Sequence, residues 1–258
     1  MLRVSCSAGG GLGGCSYCRE RGFMAALGLG SRPTIVLVHG AWHGSWVWEI
    51  VVPRLTGRGW RIRTVELPTT GERPGRFGLA EDAEAVGRCI LDVGGPVVVV
   101  AHSYAGVVVS QGAANLPGVR HLVYVCAFQL DVGESLLEAA GGQPPPWWVI
   151  DGDVITVDEP GLQFFNDLRP EDAARAIARL RPFSLKPVTQ TLTAAAWHTV
   201  PSTYVMCDND VAFATGQEIF AARAAHVRRL PSGHSPFFSV PYELSDLIEE
   251  AATGASAS

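Results

Sequence analysis

The chain has few charged residues and almost no lysine. Asp, Glu, Lys and Arg make up 17% of its 258 residues, and Lys186 is its only lysine. The formal net charge is −5, and no basic cluster stands out beyond short pairs such as Arg228-Arg229. This balance argues against a nucleic acid as a partner. With 47% hydrophobic residues, the chain is expected to bury a large core or to line an apolar cleft.

Long hydrophobic runs are also absent. The longest candidate, residues 97–109, is too short to cross a membrane and carries His102 and Ser103 in its middle. Residues 1–18 contain no sustained apolar stretch of the kind that a signal peptide needs. We therefore expect no signal peptide and no membrane partner.

The six cysteines form no recognisable metal or disulfide pattern. Cys89, Cys126 and Cys207 are isolated within or beside apolar runs, which is typical of buried free thiols, and this favours a reducing, cytoplasmic location. Cys15 and Cys18 form one Cys-x-x-Cys pair. No second pair with ligand spacing follows, so we predict no metal site.

The first 33 residues differ in composition from the rest. They are rich in glycine and serine, and residues 9–14 fit the letters G-x-G-x-x-G. No convincing strand precedes this run and no βαβ unit follows it, so we predict no dinucleotide cofactor. The expectation is a disordered N-terminal extension over residues 1–33, or a translation start nearer Met24.

From residue 34 onward, strand patterns alternate with helical patterns. We predict strands at 34–38, 61–65, 97–100, 119–126, 203–207 and 227–230, and helices at 46–56, 79–91, 104–115, 214–225 and 242–251. Such alternation predicts an α/β fold with a mostly parallel sheet flanked by helices. Its core would comprise residues 34–128 and 198–258, with ligands bound beyond the carboxyl ends of the strands.

Between residues 129 and 197 the alternation stops. This stretch holds three prolines followed by Trp147-Trp148, then Phe164-Phe165 and a helical pattern over 170–180, without a clean buried strand. We interpret it as a helical cap inserted in the core over the edge of the sheet. Its aromatic residues, Trp147, Trp148 and Phe164, either line a substrate pocket or form the cap's own small core.

A serine lies between small residues directly after the most apolar strand. The run Val97-Val98-Val99-Val100 leads into Ala-His-Ser-Tyr-Ala-Gly at 101–106. A nucleophile elbow has this order, because the strained turn that exposes its serine leaves no room for bulky neighbours. The usual pattern, G-x-S-x-G, here carries Ala101 and Ala105 in place of the glycines. The alternative is that Ser103 only caps the following helix.

Two further segments suit acyl-transfer chemistry. The loop His-Gly-Ala-Trp at 39–42 follows the first strand, where the amides of Ala41 and Tyr104 would form an oxyanion hole. The turn Gly-His-Ser-Pro at 233–236 follows the last strand and would place His234 as general base. These positions lie at the same edge of the predicted sheet.

An acid must orient the imidazole of His234. Asp210 lies 24 residues earlier, just past the 203–207 strand, and gives the chain order Ser, Asp, His of α/β-hydrolases. Asp208 and, more distantly, Asp131 are rivals, because periodicity does not fix positions within a loop.

The segments VLVHGAWHGSW at 36–46, AHSYAG at 101–106 and GHSPF at 233–237 together resemble one branch of the α/β-hydrolases. That branch contains plant methyl esterases, hydroxynitrile lyases and bacterial pyrethroid-type esterases. The resemblance spans about residues 34–251. It implies an α/β-hydrolase fold with Ser103 as nucleophile, His234 as base and Asp210 as orienting acid, and with the amides of Ala41 and Tyr104 as oxyanion donors.

The predicted function is a cofactor-independent serine hydrolase that cleaves a carboxylic ester of a small hydrophobic molecule through an acyl-enzyme. Trp42 and His43 would contact this substrate together with the cap aromatics. Other readings stay open on the same fold: a hydroxynitrile-lyase-like enzyme, a lactonase or cyclase in a biosynthetic pathway, and a non-hydrolytic ligand-binding protein. The lyases of this branch carry a lysine directly after the catalytic histidine, whereas Ser235 stands here, which favours hydrolysis. The oligomeric state, a homodimer included, is left open.

Overall fold

A computed structural model describes residues 32–213 and 216–255. The predicted extension over residues 1–33, with Cys15 and Cys18, therefore lies outside the described residues except for its last two positions. Within the described ranges, no helix is both long and apolar enough to cross a bilayer.

Nine strands can be assigned in the described residues. They are β1 (Thr34–Val38), β2 (Ile62–Val65), β3 (Val97–His102), β4 (Val119–Val125), β5 (Trp148–Asp151), β6 (Val154–Val157), β7 (Phe183–Ser184), β8 (Ser202–Cys207) and β9 (His226–Leu230). Six of them form a parallel sheet in the order β2-β1-β3-β4-β8-β9. Because parallel neighbours end at the same edge, the loops after β1, β3, β8 and β9 meet there.

Helices cover this sheet and fill the connections. They are α1 (Val51–Gly57), α2 (Leu79–Val93), α3 (Ala105–Gly112), α4 (Leu136–Ala139), α5 (Pro160–Phe165), α6 (Pro170–Ile177), α7 (Lys186–Thr189), α8 (Gln217–Ala221), α9 (Pro236–Ser239) and α10 (Pro241–Gly254). The predicted helix 46–56 is divided into a 3₁₀ turn, Ser45–Trp48, and α1. Pro53 explains the division, because it has no amide to continue a helix from the preceding turn.

The sheet is buried on both faces, and β3 shows how. Its valines alternate between two clusters, as the two-residue repeat of a strand requires: Val97 and Val99 face one side, Val98 and Val100 the other. The first cluster contains residues of α2 and α3, and the second contains residues of α1 and α10. The predicted fold class, a mostly parallel sheet flanked by helices, is confirmed.

The predicted insertion over residues 129–197 contains more than helices. Beside α4 to α7, it holds a three-stranded antiparallel sheet in the order β5-β6-β7, which the sequence analysis did not anticipate. These strands are two to four residues long, and β5 is mostly exposed, so they give no long buried apolar run. The Trp42 indole donates a 2.9 Å hydrogen bond to the Ile155 carbonyl and so ties this sheet to the core.

Gly106 allows α3 to lie against the loop that follows β4. A Cβ placed on Gly106 would come within 2.7 Å of the Phe128 carbonyl oxygen and 2.9 Å of its carbonyl carbon. Both are backbone atoms and cannot rotate away. The close approach therefore depends on the missing side chain.

We expect Gly106→Ala to lower the free energy of unfolding by about 2 kcal/mol or more, because overpacking a fixed backbone contact strains the core. Gly57→Ala is the matched control, since nothing lies within 4 Å of its Cβ position at the end of α1. That change should leave stability unchanged or raise it by up to ~1 kcal/mol through helix propensity. Urea denaturation of the two variants measures the difference, and equal effects would contradict the packing argument.

Candidate active site

Ser103 lies in a strained turn between β3 and α3. Its φ is +55°, in the left-handed region that a side chain makes costly. Ala101 and Ala105 on either side are fully buried, and a Cβ on Gly40 would come within 2.9 Å of the Ser103 Cβ. The turn therefore accepts only small neighbours on these sides. This is the geometry that a nucleophile elbow requires.

Ser103, His234 and Asp210 form a continuous hydrogen-bonded chain. The Ser103 Oγ lies 3.0 Å from His234 Nε2, and His234 Nδ1 lies 2.7 Å from Asp210 Oδ2. All three residues are at least 93% buried. With Nδ1–H donating to the carboxylate, Nε2 is left as the acceptor for the serine hydroxyl. The arrangement can therefore deprotonate Ser103 as it attacks an electrophile.

The rival acids lie elsewhere. Asp208 Oδ1 pairs with the Arg229 guanidinium at 2.8 Å, and Asp131 pairs with His198 at 2.8 Å. Neither contacts His234. The second Asp210 oxygen accepts the Phe213 amide at 3.0 Å, which fixes the carboxylate in its loop.

His102 and Cys126 both contact the backbone carbonyl of His234. His102 Nε2 donates to the His234 carbonyl at 2.8 Å, and the Cys126 thiol lies 3.6 Å from the same oxygen. Burial and the neighbouring His234 hold the pKa of His102 well below its usual value, so that ring stays neutral. Ligand atoms of these three residues lie within 4.8 Å of one another. Because both ring nitrogens of His234 already have partners, this cluster does not favour a metal ion.

Ala41 and Tyr104 line the same cavity as Ser103, and Tyr104 follows Ser103 directly in the chain. Across the described residues, the amide of neither residue has a protein acceptor. The loop that carries Ala41 is fixed by His39, whose Nδ1 donates to the Gly40 carbonyl at 2.9 Å while its Nε2 accepts the Leu67 amide at 3.2 Å. Two backbone donors in a preformed loop are suited to bind a developing oxyanion.

A cavity of about 450 Å³ opens above Ser103. Its walls are largely apolar and rich in aromatic residues, and they include four of the five predicted substrate contacts, namely Trp42, Trp147, Trp148 and Phe164. The sequence analysis missed three further aromatic residues of these walls, Phe128, Phe213 and Phe220. Phe128 follows β4, and Phe213 and Phe220 follow β8. The only feature of the sequence that could have indicated them is that they come after strands that end at the carboxyl edge of the sheet.

The structure corrects the fifth prediction, that His43 contacts the substrate. His43 does not line the cavity, because its ring is buried behind Phe164 at a centroid distance of 5.3 Å, and Nδ1 donates to the Ala41 carbonyl at 2.6 Å. Burial lowers the pKa of His43 to about 3. His43 therefore acts as a neutral brace of the loop that carries Ala41.

One side of the cavity is polar and bears charges. Arg223 donates to both carboxylate oxygens of Glu134 at 2.6 and 2.7 Å, and one of its nitrogens also donates to the Gln129 carbonyl. The paired carboxylate raises the pKa of Arg223, and the guanidinium lowers that of Glu134. Glu138 also lines the cavity, and its carboxylate accepts hydrogen bonds from the Ser135 amide and hydroxyl but has no Lys or Arg partner among the described residues. Among the described lining residues, Arg223 is the only Lys or Arg, and its charge is already neutralised.

Known proteins of one family are similar to this chain. Residues 35–247 match a family model described as the alpha/beta hydrolase family. The probable hydrolase R7 from a Phoma species is 30% identical over 250 residues, covering 86% of this chain and 99% of the relative. Methylesterase 9 from Arabidopsis thaliana is 24% identical over 245 residues, covering 83% and 95% respectively.

A solved structure shares the fold. A pyrethroid hydrolase from Sphingobium faniae JZ-2 aligns with a TM-score of 0.70 and 21% identity, over 86% of this chain and 97% of that chain. Together with the family match, this confirms the resemblance to plant methyl esterases and bacterial pyrethroid-type esterases.

Asp210→Asn should reduce turnover of an ester on the order of 10⁴-fold, because the amide no longer fixes the His234 tautomer, as in serine-protease triads. Asp208→Asn is the matched control two residues away and should change turnover less than about threefold, since it only loses an exposed ion pair. Steady-state kinetics with circular dichroism of both variants measures this. A larger loss in Asp208→Asn would contradict the assignment.

Proposed function

Because the chain belongs to the alpha/beta hydrolase family, we propose that it is a serine hydrolase that cleaves carboxylic esters of small, largely apolar molecules. The observation that supports this proposal most directly is the hydrogen-bonded chain from Ser103 through His234 to Asp210 at the wall of a cavity rich in aromatic residues. A binding protein would need the cavity alone. The triad geometry therefore supports catalysis rather than ligand binding.

In the first half-reaction, His234 Nε2 takes the Ser103 proton while Oγ bonds to the ester carbonyl carbon. The carbonyl oxygen becomes an oxyanion that the amides of Ala41 and Tyr104 stabilise, each by about 3 kcal/mol. The C–O bond to the alcohol then breaks, and Nε2 returns the proton to the departing oxygen. The acyl group stays bound to Oγ.

In the second half-reaction, water takes the place of the alcohol. His234 Nε2 removes a proton from water as the water oxygen bonds to the acyl carbon, and the carbonyl oxygen again becomes an oxyanion in the same site. Collapse releases the carboxylic acid and returns the proton to Ser103 Oγ. Asp210 stays ionised throughout and stabilises the transient imidazolium. The steps balance without a cofactor or metal.

The cavity supports a substrate class. Its volume of about 450 Å³ lies within the usual range for small-molecule sites, and its walls are mainly apolar and rich in aromatic residues. Because Arg223 is paired with Glu134, and Glu138 has no Lys or Arg partner among the described residues, the charged lining residues disfavour an anionic substrate. We therefore propose neutral esters with an apolar body. Similarity to proteins named methylesterase and pyrethroid hydrolase points to the same class.

Hydroxynitrile lyase chemistry is less well supported. It requires a cation beside the leaving anion, and position 235, next to the base, is a serine. Lys186 donates to the Arg76 carbonyl and does not line the cavity. Three arginines of the insertion, Arg175, Arg179 and Arg181, pair with Asp172, Glu49 and Glu66, none of which lines the cavity. Lactone opening would use the proposed mechanism unchanged.

We also propose a reducing, cytoplasmic location. Cys89, Cys126 and Cys207 are free thiols, and two of them are buried next to the catalytic edge of the sheet. Proteins of oxidising compartments more often pair such cysteines.

We expect the wild-type protein to hydrolyse 4-nitrophenyl acetate and butyrate, and Ser103→Ala to lose at least about 10³-fold in turnover while keeping its circular dichroism spectrum. 4-Nitrophenyl hemisuccinate, which carries a carboxylate, should give a kcat/KM at least about tenfold below that of the butyrate ester. Release of 4-nitrophenolate measures both.

Full activity in Ser103→Ala would overturn the nucleophile assignment. A preference for the hemisuccinate would overturn the proposed substrate charge while leaving the triad intact. Rapid cyanide release from mandelonitrile without esterase activity would replace the hydrolase with a lyase.

A further inference from the structure

We propose that Asp82 is a positioning residue: through the Tyr104 hydroxyl it holds the Tyr104 amide at the place where the oxyanion forms. This inference rests on the proposed function, because only acyl transfer uses that amide. Asp82 lies in the first turn of α2, behind the elbow, and does not line the cavity. It can therefore act on the reaction only through the groups that it binds, and of these Tyr104 is the one that lines the cavity.

Three donors converge on the Asp82 carboxylate, which is fully buried. The Thr69 amide donates to Oδ1 at 3.1 Å, the Thr69 hydroxyl donates to Oδ2 at 2.5 Å, and the Tyr104 hydroxyl donates to Oδ2 at 2.9 Å. Thr69 belongs to the 3₁₀ turn Pro68–Thr70 after β2. The carboxylate thus joins α2, this turn and the elbow at one point.

The Asp82 carboxylate is an ionised acceptor at neutral pH. Burial raises the pKa of Asp82 to about 6, and the hydrogen bonds from Thr69 and Tyr104 oppose that rise. Burial and the neighbouring carboxylate hold the pKa of the Tyr104 hydroxyl well above its usual value, so it remains a donor. A hydrogen bond to an ionised acceptor is shorter and stronger than one between neutral groups.

The amide of Tyr104 belongs to the peptide whose carbonyl, that of Ser103, accepts the Gly106 and Phe128 amides at 3.0 and 3.2 Å, and the Tyr104 side chain adds a further anchor to this peptide. No protein acceptor in the described residues holds the Tyr104 amide itself, and it follows the strained Ser103 backbone directly. The Tyr104 ring is fixed at two points: its hydroxyl by Asp82, and its face or edge by Phe183, with ring centroids 4.8 Å apart. Since misplacement of a catalytic group by 1 Å can cost 10²-fold in rate, a fixed side chain has a direct effect on the donor.

Packing alone gives no reason for a carboxylate at this position. The same face of α2 carries Leu79, Val86 and Ile90, all buried and apolar. An apolar residue at position 82 would avoid the cost of burying a charge. The two bonds from Thr69 give the carboxylate a role in the fold, whereas the bond from Tyr104, which follows the nucleophile, connects it to the reaction.

Tyr124 provides the matched control. Like Tyr104 it is buried, and its hydroxyl hydrogen-bonds to the Ser110 Oγ at 2.9 Å. It lies on β4 and does not line the cavity. Tyr104→Phe and Tyr124→Phe thus each remove one buried hydroxyl and one hydrogen bond, but only the first is connected to the oxyanion site.

We expect Tyr104→Phe to lower kcat on 4-nitrophenyl butyrate by about tenfold or more with KM changed less than about twofold, because the loss concerns the transition state. The inhibition constant of an alkyl trifluoromethyl ketone should rise by the same factor, since its carbonyl adds Ser103 Oγ and leaves an oxyanion in that site. Tyr124→Phe should keep kcat and the inhibition constant within about twofold. Asp82→Asn, which retains one acceptor oxygen, should lie between wild type and Tyr104→Phe.

An unchanged kcat and inhibition constant in Tyr104→Phe would overturn the inference, and so would equal losses in Tyr124→Phe. A rise in KM with kcat preserved would assign the hydroxyl to substrate binding instead. Ser103→Ala measured in parallel separates the two claims: if it stays active, the proposed function fails, whereas if it is inactive and Tyr104→Phe is normal, only the positioning role fails.

Discussion

The site depends on the 2.7 Å hydrogen bond between His234 Nδ1 and Asp210 Oδ2. It fixes the tautomer and the plane of the ring, and so turns Nε2 toward Ser103 Oγ. The two partners follow β9 and β8, which are neighbours in the sheet, while Ser103 follows β3. Parallel pairing therefore brings together residues that are up to 131 positions apart in the chain. The three loops then need only short segments to bring the side chains into contact.

Both the core and the insertion contribute residues to the site at this edge of the sheet. The core holds the reacting atoms, and the insertion supplies Trp147, Trp148 and Phe164 to the cavity wall. Trp42 connects the two, because its indole donates to the Ile155 carbonyl and its own carbonyl accepts the Arg181 amide at 2.8 Å. Since Trp42 directly follows Ala41, the insertion anchors one proposed oxyanion donor, while Asp82 and α2 anchor the other.

The sequence predicted what is encoded locally. The valine run of β3, the small residues around Ser103 and the order of the three motifs identify the sheet and the elbow, because strand burial and steric crowding act on adjacent residues. The insertion's sheet escaped prediction because its strands are short and partly exposed. His43 was placed wrongly because Trp42, with φ +60°, turns the chain and sends the next ring behind the wall. The cavity-wall residues Phe213 and Phe220 could not be predicted, because an apolar residue gives the same sequence pattern in a core and in a cavity wall. The hydrogen-bond partner of Asp82 could not be predicted either, because neighbouring residues in the sequence do not indicate it.

The central claim is that Ser103 Oγ forms a covalent bond to the substrate's acyl carbon. Diethyl 4-nitrophenyl phosphate tests it directly, because the phosphoryl group that replaces the acyl group is released slowly. The account predicts one equivalent of 4-nitrophenolate per protein, a diethylphosphoryl group on the peptide that contains Ser103, and loss of ester turnover in the same proportion. An enzyme that reacts at another residue, or that still hydrolyses esters when fully modified at Ser103, would contradict it.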